Sequence, residues 1–344
     1  MKTATSFFER AHDNTIRCLA CNHYCLIASA KTGLCGVRKN ENGKLKLLVE
    51  NLAVGLHLDP IEKKPLFHFL PGQTALSFGT LGCNFSCAFC QNWEQSQIIK
   101  TSTKNLITEF SREISPEEIV NLALKMKTPA IAYTYNEPTV FVEYALKTMI
   151  LAKKNGLKNV WVSNGFISKE TRSTILPYLD AINIDLKSFS EDFYQKVCGG
   201  KLKPVLENIK WFWKNKVWTE ITSLLIPGQN DSEKELTQTA IFLKTVSKNI
   251  PWHLSAFTPN YKMIDTPPTP LVTLLKAYEI GKKEGLNFIY VGNVSTHYQF
   301  FSTFCPHCNE LLLRRPNHID TEITENFKNS KCLNCGEKIA GVWK

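Results

Sequence analysis

The chain has 344 residues, enough for one large core of about 200 to 250 residues with small appendages. Hydrophobic residues make up 43% and charged residues 21%, with no repeat or low-complexity tract, which excludes collagen-like, coiled-coil and largely disordered classes. The formal net charge of +10 comes from scattered Lys and Arg rather than a dense basic run, so it suits an acidic electron donor as well as nucleic acid.

Met1-Lys2-Thr3-Ala4-Thr5 leads into charged sequence rather than a signal core. No apolar run approaches the ~18 residues that would cross a bilayer. A cytoplasmic protein without membrane contact is therefore expected. In a reducing compartment the twelve cysteines are expected to bind metal rather than pair as disulfides, and all but Cys198 fall into clusters.

In chain order, residues 1–50 form a first cysteine module, Cys18-x2-Cys21-x3-Cys25-x9-Cys35. This is a complete ligand set whose uneven spacing suits zinc or a second iron–sulfur cluster, with His23 as an alternative ligand or an exposed turn residue. Residues 51–74 read as a linker, punctuated by Asp59-Pro60, Lys64-Pro65 and Pro71-Gly72. From 75 to 300 the sequence alternates short β-branched or apolar runs with longer amphipathic ones. Strands are predicted over 75–78, 130–135, 159–163, 181–186, 218–226, 252–257 and 288–291. One helix should begin at Ser115, with Pro116 at its first position and Glu118 closing a capping box. Another should run from Thr139 to Asn155 and end at Gly156. Six or seven such units are too few for a closed eight-stranded barrel. The predicted class is therefore α/β, a partial, TIM-like (β/α)6 barrel with its ligand site at the carboxyl ends of the strands.

Residues 301–344 hold a second module, Cys305-x2-Cys308 and Cys332-x2-Cys335, separated by 23 residues. Two such knuckles predict a zinc ribbon, with a rubredoxin-like iron site as the alternative. Asn309 stands where a knuckle glycine is usual.

The run Gly82-Cys83-Asn84-Phe85-Ser86-Cys87-Ala88-Phe89-Cys90-Gln91-Asn92-Trp93 carries three thiols in the pattern C-x3-C-x2-C. A structural zinc wants four protein ligands and a ferredoxin-type cluster four cysteines, so three this close imply an external ligand. Three buried thiols, or a zinc site borrowing a distant ligand, are the competing readings. The pattern resembles the signature of the radical S-adenosylmethionine (radical SAM) superfamily. That resemblance implies a [4Fe-4S] cluster on Cys83, Cys87 and Cys90, with SAM chelating the open iron. Phe89 would then stack on adenine or simply pack under the loop. Asn136 and Glu137 lie where the superfamily carries a Gly-Gly-Glu-like segment that binds the methionine amino group, though they would also cap the next helix. Ser163-Asn164-Gly165 resembles a ribose-contacting segment of glycyl-radical activating enzymes. Asp185 and Lys187 resemble the Asp-Leu-Lys of the same enzymes, or pair with one another. The analogy extends to Ile226-Pro227-Gly228 and to His253, although a lone His in an apolar run is more often a hydrogen-bonded core residue. Cys198 would approach the substrate or lie buried and inert.

The segments Asp59-Pro60-Ile61-Glu62-Lys63-Lys64-Pro65-Leu66-Phe67-His68-Phe69-Leu70-Pro71-Gly72, Gly79 to Trp93 and Gly341-Val342-Trp343 together resemble the AmmeMemoRadiSam-system radical SAM proteins, relatives of pyruvate formate-lyase activating enzymes. This implies an oxidoreductase-type radical start from SAM, followed by hydrogen abstraction from an unidentified protein or small molecule. It also implies a low-potential flavodoxin- or ferredoxin-like electron donor, and AMMECR1-like and Memo-like proteins as partners. The alternative is a non-catalytic, metal-binding protein whose zinc ribbon associates with nucleic acid.

Overall fold

Apolar, β-branched runs bounded by turn residues become the strands of one nine-stranded sheet in the computed structural model, which describes residues 7–101, 106–317 and 319–344. The segment Met1 to Thr5 lies outside the described residues. In chain order the strands are β1 (Leu52–Pro60), β2 (Thr74–Gly79), β3 (Arg112–Glu113), β4 (Ala130–Tyr133), β5 (Lys158–Ser163), β6 (Ala181–Asp185), β7 (Trp218–Leu225), β8 (Trp252–Ala256) and β9 (Ile289–Gly292). They are ordered β9-β8-β7-β6-β5-β4-β2-β1-β3. The seven from β2 to β9, leaving out β3, pair in parallel, and β1 and β3 extend one edge antiparallel. With free edges at β9 and β3 the sheet is open, as expected for a partial barrel.

Helices fill the crossovers. Ser115 caps the helix Pro116–Lys125 through the predicted capping box: its hydroxyl accepts from the Glu118 N–H at 3.2 Å, and the Glu118 carboxylate accepts from the Ser115 N–H at 2.7 Å. The helix predicted from Thr139 divides into a 3-10 turn at Pro138–Phe141 and a helix Val142–Lys154, followed by Gly156 at φ +77°.

The linker expected at 51–74 is corrected. Leu52–Pro60 forms a nine-residue strand paired with β2 in the main sheet. The prolines lie at its end and beyond, where no ladder N–H is needed.

The N-terminal cysteine segment builds a small antiparallel sheet and a hairpin, and shares the barrel's core through Phe7, Ile16, Val37 and Val49. It clamps the loop after β5. Cys21 bridges to Ile167, Asn22 donates to the Ile167 carbonyl at 2.6 Å, and the Tyr24 hydroxyl donates to Glu170 at 2.8 Å. At the other end, Val342 pairs with Phe69, while the buried Arg315 donates to the Phe67 carbonyl at 2.8 Å. Among the described residues, no helix is long and apolar enough to cross a membrane.

Candidate radical SAM site

A cleft of about 630 Å³ opens at the carboxyl ends of the strands, and Cys83, Cys87, Cys90, Asp185, His253 and Tyr290 are among the residues that line it. The cysteine loop leaves β2 at Gly79, where a side chain would strike the Thr134 carbonyl at 2.4 Å. Asn136 fixes the loop's first turn: its amide nitrogen donates to the Gly82 carbonyl at 2.7 Å and the Thr80 hydroxyl at 3.0 Å, and its oxygen accepts from the Thr80 N–H at 3.2 Å. Farther along, the Ser86 and Ala88 N–H groups donate to the carbonyls of Cys198 and Val197. Lys100 and Gln97 both donate to the Phe85 carbonyl, at 2.6 and 3.1 Å. The loop is thus held on three sides before any metal binds.

Burial pushes the thiols of Cys83 and Cys90 up, and a hydrogen bond with Cys198 together with burial does the same to Cys87. Such thiols ionise only where a metal supplies positive charge. Cys198 is fully buried beside Cys87 and is not among the residues that line the cleft. A three-thiol donor set facing an open cleft fits a four-iron cluster with one coordination position left to a small ligand.

The remaining predicted residues fall into two groups. Phe89, Asn136, Ser163, Asn164, Asp185, Lys187 and His253 all line the cleft. Glu137 does not, and its expected contact with SAM is corrected. Its carboxylate is fully buried and taken up by the Thr139 N–H and hydroxyl, the Ser163 hydroxyl and the Asn164 N–H, at 3.1, 2.5, 2.9 and 2.7 Å. It pins the ends of β4 and β5 together.

Asn164 is engaged as well, donating to the Asn84 side-chain oxygen at 2.7 Å and accepting from the Phe166 N–H at 3.0 Å. Asp185 and Lys187 form a 2.6 Å ion pair, and the Lys187 ammonium sits 5.8 Å from the centre of the Phe89 ring. Burial alone would lower the Lys187 pKa, but the Asp185 carboxylate outweighs it and keeps the ammonium charged. His253 meets the buried Glu220 carboxylate at 2.7 Å. The same carboxylate accepts from the N–H groups of Phe67 and His68 and from the Trp218 indole.

Further lining groups come from the Asp59 to Phe69 segment, which belongs to the cleft rather than to a linker. Lys64, 3% exposed, pairs with Asp59 at 2.7 Å, and the Tyr135 hydroxyl donates to the same carboxylate at 2.8 Å. Burial would raise the Asp59 carboxyl, yet Lys64 and Tyr135 hold it below its ordinary value. The density of charge in this motif was the sequence signal for such a role.

In the C-terminal module the ligand atoms of Cys305, Cys308, Cys332 and Cys335 all lie within 4.8 Å of one another. Asn309 adopts φ +60° and Gly336 φ +79°, so Asn309 takes the left-handed turn that the missing glycine would have made. These four residues form a metal-binding cysteine cluster.

Fold, cleft and cysteine loop define one class, and residues 78–240 of the chain match the radical SAM superfamily and form a radical SAM domain. The chain is 41% identical over 334 residues, 97% of each chain, to the uncharacterized protein MJ0808 of Methanocaldococcus jannaschii. A second protein of that organism, MJ1632, provisionally named a glycyl-radical enzyme activating enzyme, is 26% identical over 64% of this chain and 80% of its own. The fold is also similar to that of a radical SAM methyltransferase from Sphaerobacter thermophilus, with a TM-score of 0.51, 14% identity, and coverage of 65% of this chain and 67% of that one.

Proposed function

We propose that this protein cleaves S-adenosylmethionine reductively and takes a hydrogen atom from a protein or small-molecule substrate seated in the 630 Å³ cleft. The observation that carries the reading is the opening of the Cys83, Cys87 and Cys90 loop onto that cleft beside Asp185 and Lys187. When bound, a [4Fe-4S] cluster supplies one electron to the sulfonium, giving methionine and a 5′-deoxyadenosyl radical. The protein's own groups orient and shield. Asn136 and Glu137 hold the loop and strand ends rigid, while the Asp185–Lys187 pair offers a carboxylate and an ammonium for a zwitterionic ligand. Phe89 supplies an apolar wall to the site.

The resemblance to MJ1632 favours an activating-enzyme-like transfer to a protein substrate. The C-terminal cysteines are assigned to zinc, because their close spacing suits a single tetrahedral ion. A low-potential flavodoxin- or ferredoxin-like donor, AMMECR1-like and Memo-like partners, and a cytoplasmic location complete the reading.

Anaerobic reconstitution with iron and sulfide, followed by dithionite and SAM, tests it. 5′-Deoxyadenosine is the expected product. A cluster-loaded, SAM-binding protein that forms none would refute the assignment.

A further inference from the structure

The four cysteines near the N-terminus surround a void of their own. Cys18, Cys21, Cys25 and Cys35, with Arg38 and Asn84, enclose room for a water-sized sphere, about 10 Å³. Sequence spacing leaves both zinc and iron–sulfur open here and leans slightly to zinc; geometry separates them. A zinc tetrathiolate with Zn–S of about 2.3 Å brings its sulfurs to about 3.8 Å from one another and leaves no space at its centre. The C-terminal thiols are drawn in this way, with Cys305–Cys335 and Cys308–Cys332 sulfur contacts of 3.5 and 3.6 Å. Among the described residues, theirs is the one group of three or more ligand atoms that all approach within 4.8 Å. Neither the N-terminal four nor Cys83, Cys87 and Cys90 close up so far. A multi-iron cluster binds each thiolate at a separate iron and therefore needs the wider ring.

The walls of the void point the same way. Asn84 is 3% exposed, and its amide nitrogen has no hydrogen-bond partner. Arg38, 2% exposed, donates from Nε to the Cys18 sulfur at 3.2 Å while its other nitrogens are gripped by Glu143 at 2.7 and 2.6 Å. A buried guanidinium on the Cys18 sulfur and an unused amide donor on a residue that lines the cavity suit an anionic cluster, whose sulfurs take N–H donors. We propose that Cys18, Cys21, Cys25 and Cys35 hold an iron–sulfur cluster, not zinc, beside the radical SAM loop.

The two sites abut. Asn84 directly follows Cys83, and the Cys35 carbonyl lies 2.6 Å from where a Gly82 side chain would begin. The N-terminal cluster is placed to take one electron from a low-potential flavodoxin- or ferredoxin-like donor and pass that same electron on, returning to its starting charge with no bond formed or broken. This relay role rests on the radical reading above, whereas the identity of the metal does not.

The full-length Cys83→Ala/Cys87→Ala/Cys90→Ala variant, loaded anaerobically with iron, sulfide and zinc, separates the two. Iron and acid-labile sulfide in equal amounts, with about one zinc per chain, are expected. About two zinc with no iron, or an N-terminal site without metal, overturns the proposal. If that variant does not fold, the unaltered chain gives the same reading from zinc and iron together: one zinc with more than about four iron per chain supports the cluster, whereas two zinc, or one zinc with only about four iron, overturns it. Asn84→Ala in the triple variant should lower the reduction potential of the remaining cluster without changing its iron content; an unmoved potential would separate Asn84 from the cluster. For the relay, Cys18→Ser/Cys35→Ser should slow reduction of the Cys83-loop cluster by a protein donor but not by dithionite. Equal slowing or none removes the relay and leaves the metal assignment standing.

Discussion

The Asn164 side chain donates a 2.7 Å hydrogen bond to the side-chain oxygen of Asn84, so the residue that follows the first loop cysteine is tied directly to the end of β5. Asn164→Ala leaves that oxygen and the Phe166 N–H without their partner, at a cost of about 1–3 kcal/mol. Urea unfolding should register the loss, and chelators should strip iron from the reconstituted loop faster than from the unaltered protein. Unchanged iron release would show that the bond does not brace the loop.

Glu137→Gln turns an amide toward N–H and hydroxyl donors that now share a carboxylate. Loss of about 3 kcal/mol is expected from charge-assisted bonds of this kind. The readout is the denaturation midpoint. Weaker SAM binding at full stability would instead point to direct ligand contact.

Acid should destabilise the fold through His68. Neutral His68 donates from Nδ1 to the Ala340 carbonyl at 2.7 Å and accepts at Nε2 from the Tyr290 hydroxyl at 2.5 Å, so a second ring proton would place a charge in a buried site and force the Tyr290 hydroxyl to turn toward Thr303. Burial accordingly holds its pKa down at about 4. Below the ordinary histidine value the unfolded chain binds a proton that the folded one refuses, and stability falls by up to about 1.4 kcal/mol per pH unit from about pH 6.5 to pH 4. Glu220, whose folded pKa is lowered chiefly by His253 against the pull of burial, acts in the same direction at lower pH. His68→Gln should flatten the upper part of the profile measured by denaturant titration at each pH.

Asp185→Asn removes the partner of a nearly buried ammonium. SAM affinity measured by calorimetry should drop at least about tenfold, corresponding to about 1.4 kcal/mol, with iron content unchanged. An unaltered affinity would assign the pair to structure alone.

Removing metal from Cys305, Cys308, Cys332 and Cys335 should loosen the wall of the cleft contributed by Phe67 and Ile319. Backbone amides from Phe67 to Leu70, which lean on Arg315 and Val342, are expected to lose hydrogen-exchange protection first. Protection that survives chelation would make the metal dispensable for the cleft.

Local signals carried most of the barrel into view. Residues 181–185 and 218–225 declare themselves as strands because β-branched runs lie between turn residues. Ser115 and Glu118 announce their helix through a capping motif that needs no distant partner. The strand Leu52–Pro60 is hidden because His57 and Asp59 interrupt its apolar pattern and nearby prolines read as a linker; only its pairing with β2 makes it a strand. The site divides along the same line. Cysteine spacing marks the loop, but the positions of the side chains across the cleft depend on long-range bonds. Glu137 reads equally well as ligand or anchor until Ser163 and Asn164 are brought against it. Tyr135, at φ +71°, reaches Asp59 only through a backbone turn that its sequence does not advertise.

The pairing of Val342 with Phe69, and of Arg315 with Phe67, also orders events in time. A growing chain has all nine strands of its sheet by Gly292, but this flank of the cleft stays uncovered until some fifty more residues have emerged. Contacts of such sequence separation form slowly. During that interval the mouth of the cleft lacks the wall that Ile319 contributes and the contacts that hold Phe67 and Phe69 in place.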